Sequence, residues 1–307
     1  MKEIPLFVVN GFLESGKTSL IKEIIENNEA YHNGSTVVIA CEDGEISYDK
    51  DWCLEYGVHI EYIEDEDEFT PDFMRNIDDI YHADQYVIEY NSFFDWDNQE
   101  FPQNMVIYQQ ITLIDSTNFE VMFNNMRKIF QMMVKDSAIV IFNRCDGNKD
   151  LSKYRRWIRG MNQQAQIGFE GLDGRVTAML DEDLPYDLSK DVIAFEEDVY
   201  PTWYIEVFDH HEKYLNKTFK FKAFVRDILD NTFVLGRKVM TCCADDIQFL
   251  GYEVINNTDT EVKLNDCIYI ECSIDLRYSE LAQENVVMLI ADKITILKPE
   301  EEQVVSL

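Results

Sequence analysis

Gly11-Phe12-Leu13-Glu14-Ser15-Gly16-Lys17-Thr18 follows residues 4–9, of which five of six are apolar, and leads into Ser19-Leu20-Ile21-Lys22-Glu23-Ile24-Ile25, whose apolar positions recur at helical spacing. Strand, glycine-bounded loop and helix in that order make a phosphate-binding P-loop. The glycines let backbone N–H groups turn inward around a phosphate. The Lys17 ammonium reaches the β- and γ-oxygens, and the Thr18 hydroxyl, at the helix N-terminus, can ligate Mg²⁺. Gly11, Glu14, Ser15, Gly16, Lys17, Thr18 and Ser19 are therefore expected to surround the phosphates of a nucleotide, with Lys17 and Thr18 acting on the reacting group.

Outward from this loop, near-continuous apolar runs recur between helical stretches at residues 36–40, 85–89, 110–114 and 138–142. Such runs suit strands buried on both faces of a parallel sheet, with helices as crossovers, so the first half reads as a doubly wound α/β domain of the P-loop NTPase type. Between them, residues 61–68 hold six carboxylates in eight positions and read as a solvated loop or helix start. After about Pro185 the pattern changes to closely spaced strands at 219–225, 233–240, 268–272 and 286–290, separated by turn signals such as Asn256-Asn257-Thr258-Asp259. A nucleotide domain over residues 1–185 and a smaller β-rich domain, barrel or sandwich, over residues 200–307 are expected, with the acidic stretch 181–201 and its two prolines as the junction.

The 307 residues suit two domains. Asp and Glu outnumber Lys and Arg 59 to 27, for a net charge of −32. That surface repels phosphate backbones and anionic lipid, which argues against nucleic acid or a membrane face as the main partner. The N-terminal apolar stretch is too short for a signal sequence and no later run approaches a membrane span, so a cytoplasmic protein without membrane insertion is expected. Seven cysteines, an odd number, then read as reduced thiols.

A P-loop domain needs a further acidic group to hold Mg²⁺ and a base reader at another strand end. Glu89 and Asp115 close two of the expected strands, where the carboxyl edge of a parallel sheet collects ligands. Asn143-Arg144-Cys145-Asp146 closes the strand at 138–142 and stands where Asn-Lys-X-Asp reads guanine. The Asp146 carboxylate would accept from the N1 and N2 donors of the base, Asn143 would brace the loop, and the Arg144 stem would cover the ring.

With these residues in view, the chain resembles the CobW family of GTPases, of the G3E group that includes the metal-enzyme maturation factors HypB and UreG. The resemblance begins at Gly11 to Leu20. It continues through Glu42-Asp43-Gly44-Glu45-Ile46-Ser47-Tyr48-Asp49, similar to the family's Asn-Glu-Phe-Gly-Glu…Asp switch segment. It then runs through Ile88-Glu89, Leu113-Ile114-Asp115-Ser116-Thr117-Asn118-Phe119, Asn143-Arg144-Cys145-Asp146 and Met161-Asn162-Gln163-Gln164-Ala165-Gln166-Ile167. It implies GTP binding and slow Mg²⁺-dependent hydrolysis coupled to a switch, with Glu42, Asp49 and Glu89 as unranked acidic partners of the ion. Three departures stand against it. The family's Cys-X-Cys-Cys motif has no counterpart in residues 58–69, Ser92 stands where the family has the glycine after Glu-Thr-Ser/Thr, and Cys41 precedes Glu42 in place of Asn.

Phe219 to Asp227, Gly236-Arg237, Thr241-Cys242-Cys243-Ala244-Asp245-Asp246 and Gly251 resemble the soluble C-terminal domain of YcgQ-type proteins that accompany predicted permeases, over about residues 200 to 300. That resemblance implies an OB-like barrel. Cys242 and Cys243 could bind Zn²⁺ or another transition metal, or serve as structural thiols beside a turn-capping Asp245 or Asp246. Asp209-His210-His211-Glu212 reads as a surface loop. Together these readings give a GTPase of metal homeostasis or permease-linked trafficking, with a protein client or permease as partner. The alternative is a non-hydrolysing, nucleotide-gated adaptor.

Overall fold

A computed structural model describes residues 3–28, 31, 35–146, 151–171, 174–175, 184–230, 232–240 and 247–306. The chain divides into two compact units, Met1–Leu151 with Met161–Leu180, and Ser152–Gly160 with Asp181–Leu307.

In the first unit, β1 (Ile4–Asn10) lies between β4 (Gln85–Glu89) and β5 (Met105–Asp115). Beyond them stand β2 (Thr36–Ala40) and β3 (Val58–Tyr62) on one side, and β6 (Ile139–Cys145) and β7 (Gln166–Gly171) on the other. The order is β3-β2-β4-β1-β5-β6-β7, all parallel, with the two-residue β8 (Gly174–Arg175) antiparallel at the edge. Every residue of β2 and of β4 is buried, as their near-continuous apolar sequences require. Alternation along β2 feeds two cores. Val38 and Ala40 pack with Ile21 and Ile25 of α1 (Lys17–Asn27) and with Trp52 of α2 (Lys50–Tyr56). Val37 and Ile39 pack with Met74 and Ile77 of α3 (Pro71–Tyr81). The fold class expected from the sequence is therefore present, with helices on both faces and the P-loop at the carboxyl end of the central strand. The acidic run at 61–68 is not all loop or helix start. Its first two residues instead complete β3, whose Val58 is buried, and a single 3₁₀ turn covers Glu66–Glu68. After it, α4 (Phe119–Val134) leads from β5 to β6.

The second unit is built on five strands, β10 (Thr218–Ile228), β11 (Thr232–Met240), β12 (Ile247–Asn256), β13 (Cys267–Ser279) and β14 (Glu284–Ile296). They pair in the order β10-β11-β12-β14-β13 and back to β10, which closes a barrel. β12 and β14 run parallel and the other pairs antiparallel, the OB-like arrangement. Short strands β9 (Val192–Ala194) and β15 (Val305–Ser306) add parallel partners to β10 and β11. Phe219, Phe221, Ala223 and Val225 alternate inward along β10 and meet Leu235, Tyr252, Ile270, Cys272 and Leu289 in one core.

Two helices complete this unit, and the sequence patterns had pointed to neither. In α6 (Tyr200–His210), Trp203 is fully buried and packs its ring against Phe219, Phe221 and Tyr252. The Tyr252 hydroxyl donates to the Tyr204 carbonyl at 2.8 Å. α5 (Ser152–Met161) meets α6 through charge. Arg155 pairs with Glu206 and Asp209, Arg156 with Glu206, and Arg159 with Asp209. Glu206 is fully buried and Arg155 nearly so. Asp209 and His210, read as part of a surface loop, thus form the last turn of a helix, because the carboxylate of Asp209 has two arginines to meet.

Candidate nucleotide site

The P-loop needs both its glycines. Gly11 has φ +151° and a Cβ there would lie 2.5 Å from the Leu113 carbonyl oxygen; Gly16 has φ +99° and approaches the Asn143 side chain. Lys17 is buried at the start of α1, and its Nζ donates to the carbonyls of Gly11 at 2.6 Å and Phe12 at 3.0 Å while pairing with the Glu42 carboxylate. Burial pushes the Glu42 carboxyl above its usual range, in spite of the pull of Lys17. Ser15 is buried and its hydroxyl has no partner. Ser19 is exposed in the first turn of α1.

Thr18 and Glu89, 71 residues apart, meet: Thr18 Oγ1 donates to Glu89 Oε1 at 2.7 Å. The parallel pairing of β1 with β4 sets Val9 beside Glu89 and so brings the carboxylate to the P-loop. The other oxygen of Glu89, Oε2, accepts from the Tyr48 hydroxyl at 2.6 Å. Asp49 stands outside this group. It caps α2 by accepting from the Trp52 N–H at 2.9 Å, and it also takes a bond from Lys22. Those contacts, the Trp52 amide first, hold its carboxyl below the usual range.

The base-reading segment folds against the same loop. Asn143 Nδ2 donates to the Ser15 carbonyl at 2.7 Å, and Arg144 donates to the Glu14 carbonyl at 3.0 Å while pairing with Asp115. Asp146 follows β6 directly and is exposed. Partial burial pushes the Asp115 carboxyl up, but hydrogen bonds from Thr117 and the Arg144 guanidinium outweigh it and the net shift is downward. Glu14, Gly16, Lys17, Thr18, Ser19, Glu42, Gly44, Glu89 and Arg144 are among the walls of a cleft with about 390 Å³ of open space. A buried hydroxyl without a partner at Ser15, a cation at Lys17 and a hydroxyl–carboxylate pair at Thr18 and Glu89 form a donor set that fits a nucleoside phosphate with Mg²⁺.

Three contacts escaped the sequence reading. Tyr48 lies in the switch segment, where nothing in the neighbouring sequence marks its bond to Glu89. Ser92 is buried and donates to Asn10 Oδ1 at 2.8 Å, and that oxygen also accepts from the Gly11 N–H, so the segment after β4 is tied to the first residue of the P-loop. Asn162 faces the last carbonyls of α4 with its amide, at 2.8 Å from that of Val134. Cys41 is buried and its thiol is pushed up to about 12, chiefly by burial. Cys242 and Cys243 lie outside the described residues. Among the described residues no group of three or more His, Cys, Asp or Glu side chains could hold a metal ion. No helix among them is long and apolar enough to cross a membrane.

Residues 5–65 match the CobW/HypB/UreG nucleotide-binding domain, and residues 173–305 match the DUF1980 C-terminal domain. No curated protein matches the chain. Similar solved structures include the hydrogenase maturation factor HypB from Archaeoglobus fulgidus, at 14% identity over 56% of this chain and 82% of that one, with a TM-score of 0.40. Zn(II)-bound YjiA GTPase from E. coli matches at 17% identity over 76% of this chain and 86% of that one, with a TM-score of 0.42.

Proposed function

We propose that the chain, whose residues 5–65 match the CobW/HypB/UreG nucleotide-binding domain and residues 173–305 the DUF1980 C-terminal domain, is a Mg²⁺-dependent GTP-binding protein and slow GTPase acting in metal homeostasis or permease-linked trafficking. The observation that carries this reading is the meeting of Thr18 with Glu89, next to a lysine bound into its own loop. Phosphoryl transfer needs little covalent chemistry from a protein, so its parts are positioning and charge. Lys17 and the inward-turned amides of the P-loop offset the charge of the phosphates. An arriving phosphate competes with the Glu42 carboxylate for Lys17, which makes the switch segment responsive to what the loop holds. Thr18 and Glu89 are the residues to hold Mg²⁺, with Asp49 as a more distant candidate. When bound, Mg²⁺ neutralises charge on the phosphate oxygens. Asn143 and Arg144 hold the base-reading segment to the loop, and Asp146 accepts from guanine.

The decisive experiment measures binding and turnover of GTP and ATP with Mg²⁺ by the wild type and Lys17→Ala. Lys17→Ala is expected to lose turnover, and equal turnover by the variant would rule the reading out. A second reading, a non-hydrolysing nucleotide-gated adaptor, is favoured by Ser92, whose side chain is locked to Asn10. Tight GTP binding without turnover, with a protein partner retained on an affinity column, selects it.

A further inference from the structure

We propose that Tyr48 is a positioning residue that fixes the Glu89 carboxylate for a divalent cation, and so ties the grip on that ion to the conformation of the switch segment. The proposal deepens the Mg²⁺–nucleotide reading given above and rests on it. Glu89 is buried and sits at the end of a central strand, its backbone carbonyl accepting from the Cys41 N–H at 2.9 Å. The main chain is thus held by the sheet, and the carboxylate orientation is set by what its two oxygens meet. Oε1 meets Thr18, the side chain a nucleotide-bound cation would draw on, and Oε2 meets the Tyr48 hydroxyl. If Thr18 turns its hydroxyl oxygen toward a cation, the bond from Tyr48 is the one that still orients Glu89.

The tyrosine is delivered firmly. Its ring is buried and lies 5.7 Å from that of Trp52, whose indole N–H donates to Glu26 at 2.7 Å and whose ring carries Lys22 at 5.0 Å. The next residue, Asp49, caps α2 and pairs with Lys22 of α1. The segment that ends in Tyr48 is tied to the P-loop at two earlier points. Glu42 pairs with Lys17, and the Glu45 N–H donates to Glu14 Oε1 at 3.0 Å. Movement of this segment when a phosphate displaces Glu42 therefore acts on Glu89 through one hydroxyl. A phenol keeps its proton and donates it, so it orients a carboxylate without competing for the cation.

Tyr48→Phe keeps the ring and its packing and removes only the donor. Binding of fluorescent GDP is titrated against Mg²⁺ concentration, with a parallel titration in excess chelator. The Mg²⁺ midpoint is expected to rise about tenfold in the variant, the size of one hydrogen bond to a charged group, while affinity in chelator stays at the wild-type value, so that the stability lost with the donor to buried Glu89 does not account for the shift. In a Glu89→Gln background the same substitution should add no further shift, because the hydroxyl acts through the carboxylate. An unchanged midpoint, or an equal shift in both backgrounds, overturns the role of Tyr48 and leaves the nucleotide reading standing. Wild-type protein that binds no nucleotide with Mg²⁺ overturns both.

Discussion

Single carboxylates in the nucleotide unit are held by different physics. Glu42 is driven up by burial, Asp49 is drawn down by a helix amide, and Asp115 is drawn down by Thr117 and Arg144 against partial burial. Asp115 gives the clearest pH test because its folded value lies below the unfolded one of about 4. Its contribution to stability is therefore complete above that unfolded value and is lost as pH falls through the lowered folded value. Asp115→Asn is expected to lose about 1 kcal/mol at pH 7, since Arg144 is partly exposed and its share is screened. Urea unfolding of both proteins from pH 7 to pH 3 checks this. The gap should begin to narrow as pH falls below about 4, and a gap independent of pH would show that the charge of Asp115 contributes nothing.

Elements were legible where burial is continuous and obscure where it is mixed. β2 and β4 stood out because all of their residues are buried, whereas β3, at the sheet edge, carries Glu61 and His59 between Val58 and Ile63 and reads as polar. The P-loop was legible because backbone geometry there demands glycine at a fixed spacing, and Asn143 because its tetrapeptide closes an apolar strand. The Tyr48–Glu89 contact was not, since no local pattern announces a hydrogen bond between residues 41 apart. α5 was missed for a related reason. Its Lys153, Arg155, Arg156 and Arg159 look like a solvated face until two carboxylates of α6 take up the three arginines. Arg155 gives buried Glu206 its short charge contact, while Arg156 stands at 3.7 Å, so Arg155→Met should cost about 3 kcal/mol. Arg155→Met with Glu206→Leu should recover part of that loss, because no buried charge is then left at Glu206, although Arg156 and Asp209 each lose a contact. Chemical denaturation of the two single variants and the double variant measures the coupling, and additive losses would show that the pair stabilises nothing.

At the scale of the whole molecule, α5 means that the second compact unit is not a contiguous piece of chain. The unit takes residues 152–160 from the middle of the nucleotide sequence, then resumes at residue 181. A fragment of residues 181–307 keeps the five barrel strands and Trp203 in the core, yet leaves Glu206 fully buried without Arg155. Loss of a charged partner by a buried carboxylate is destabilising, so the fragment should melt below the same strands in the full chain. Adding a peptide of residues 151–162 should raise its melting temperature in proportion to peptide bound, as mass action requires. The same peptide with Arg155, Arg156 and Arg159 changed to methionine should not. Scanning calorimetry of the fragment with each peptide checks both statements. A fragment as stable as its counterpart in the intact chain, and indifferent to the peptide, would mean that the barrel and α6 form a complete domain and that the arginines of α5 only decorate it.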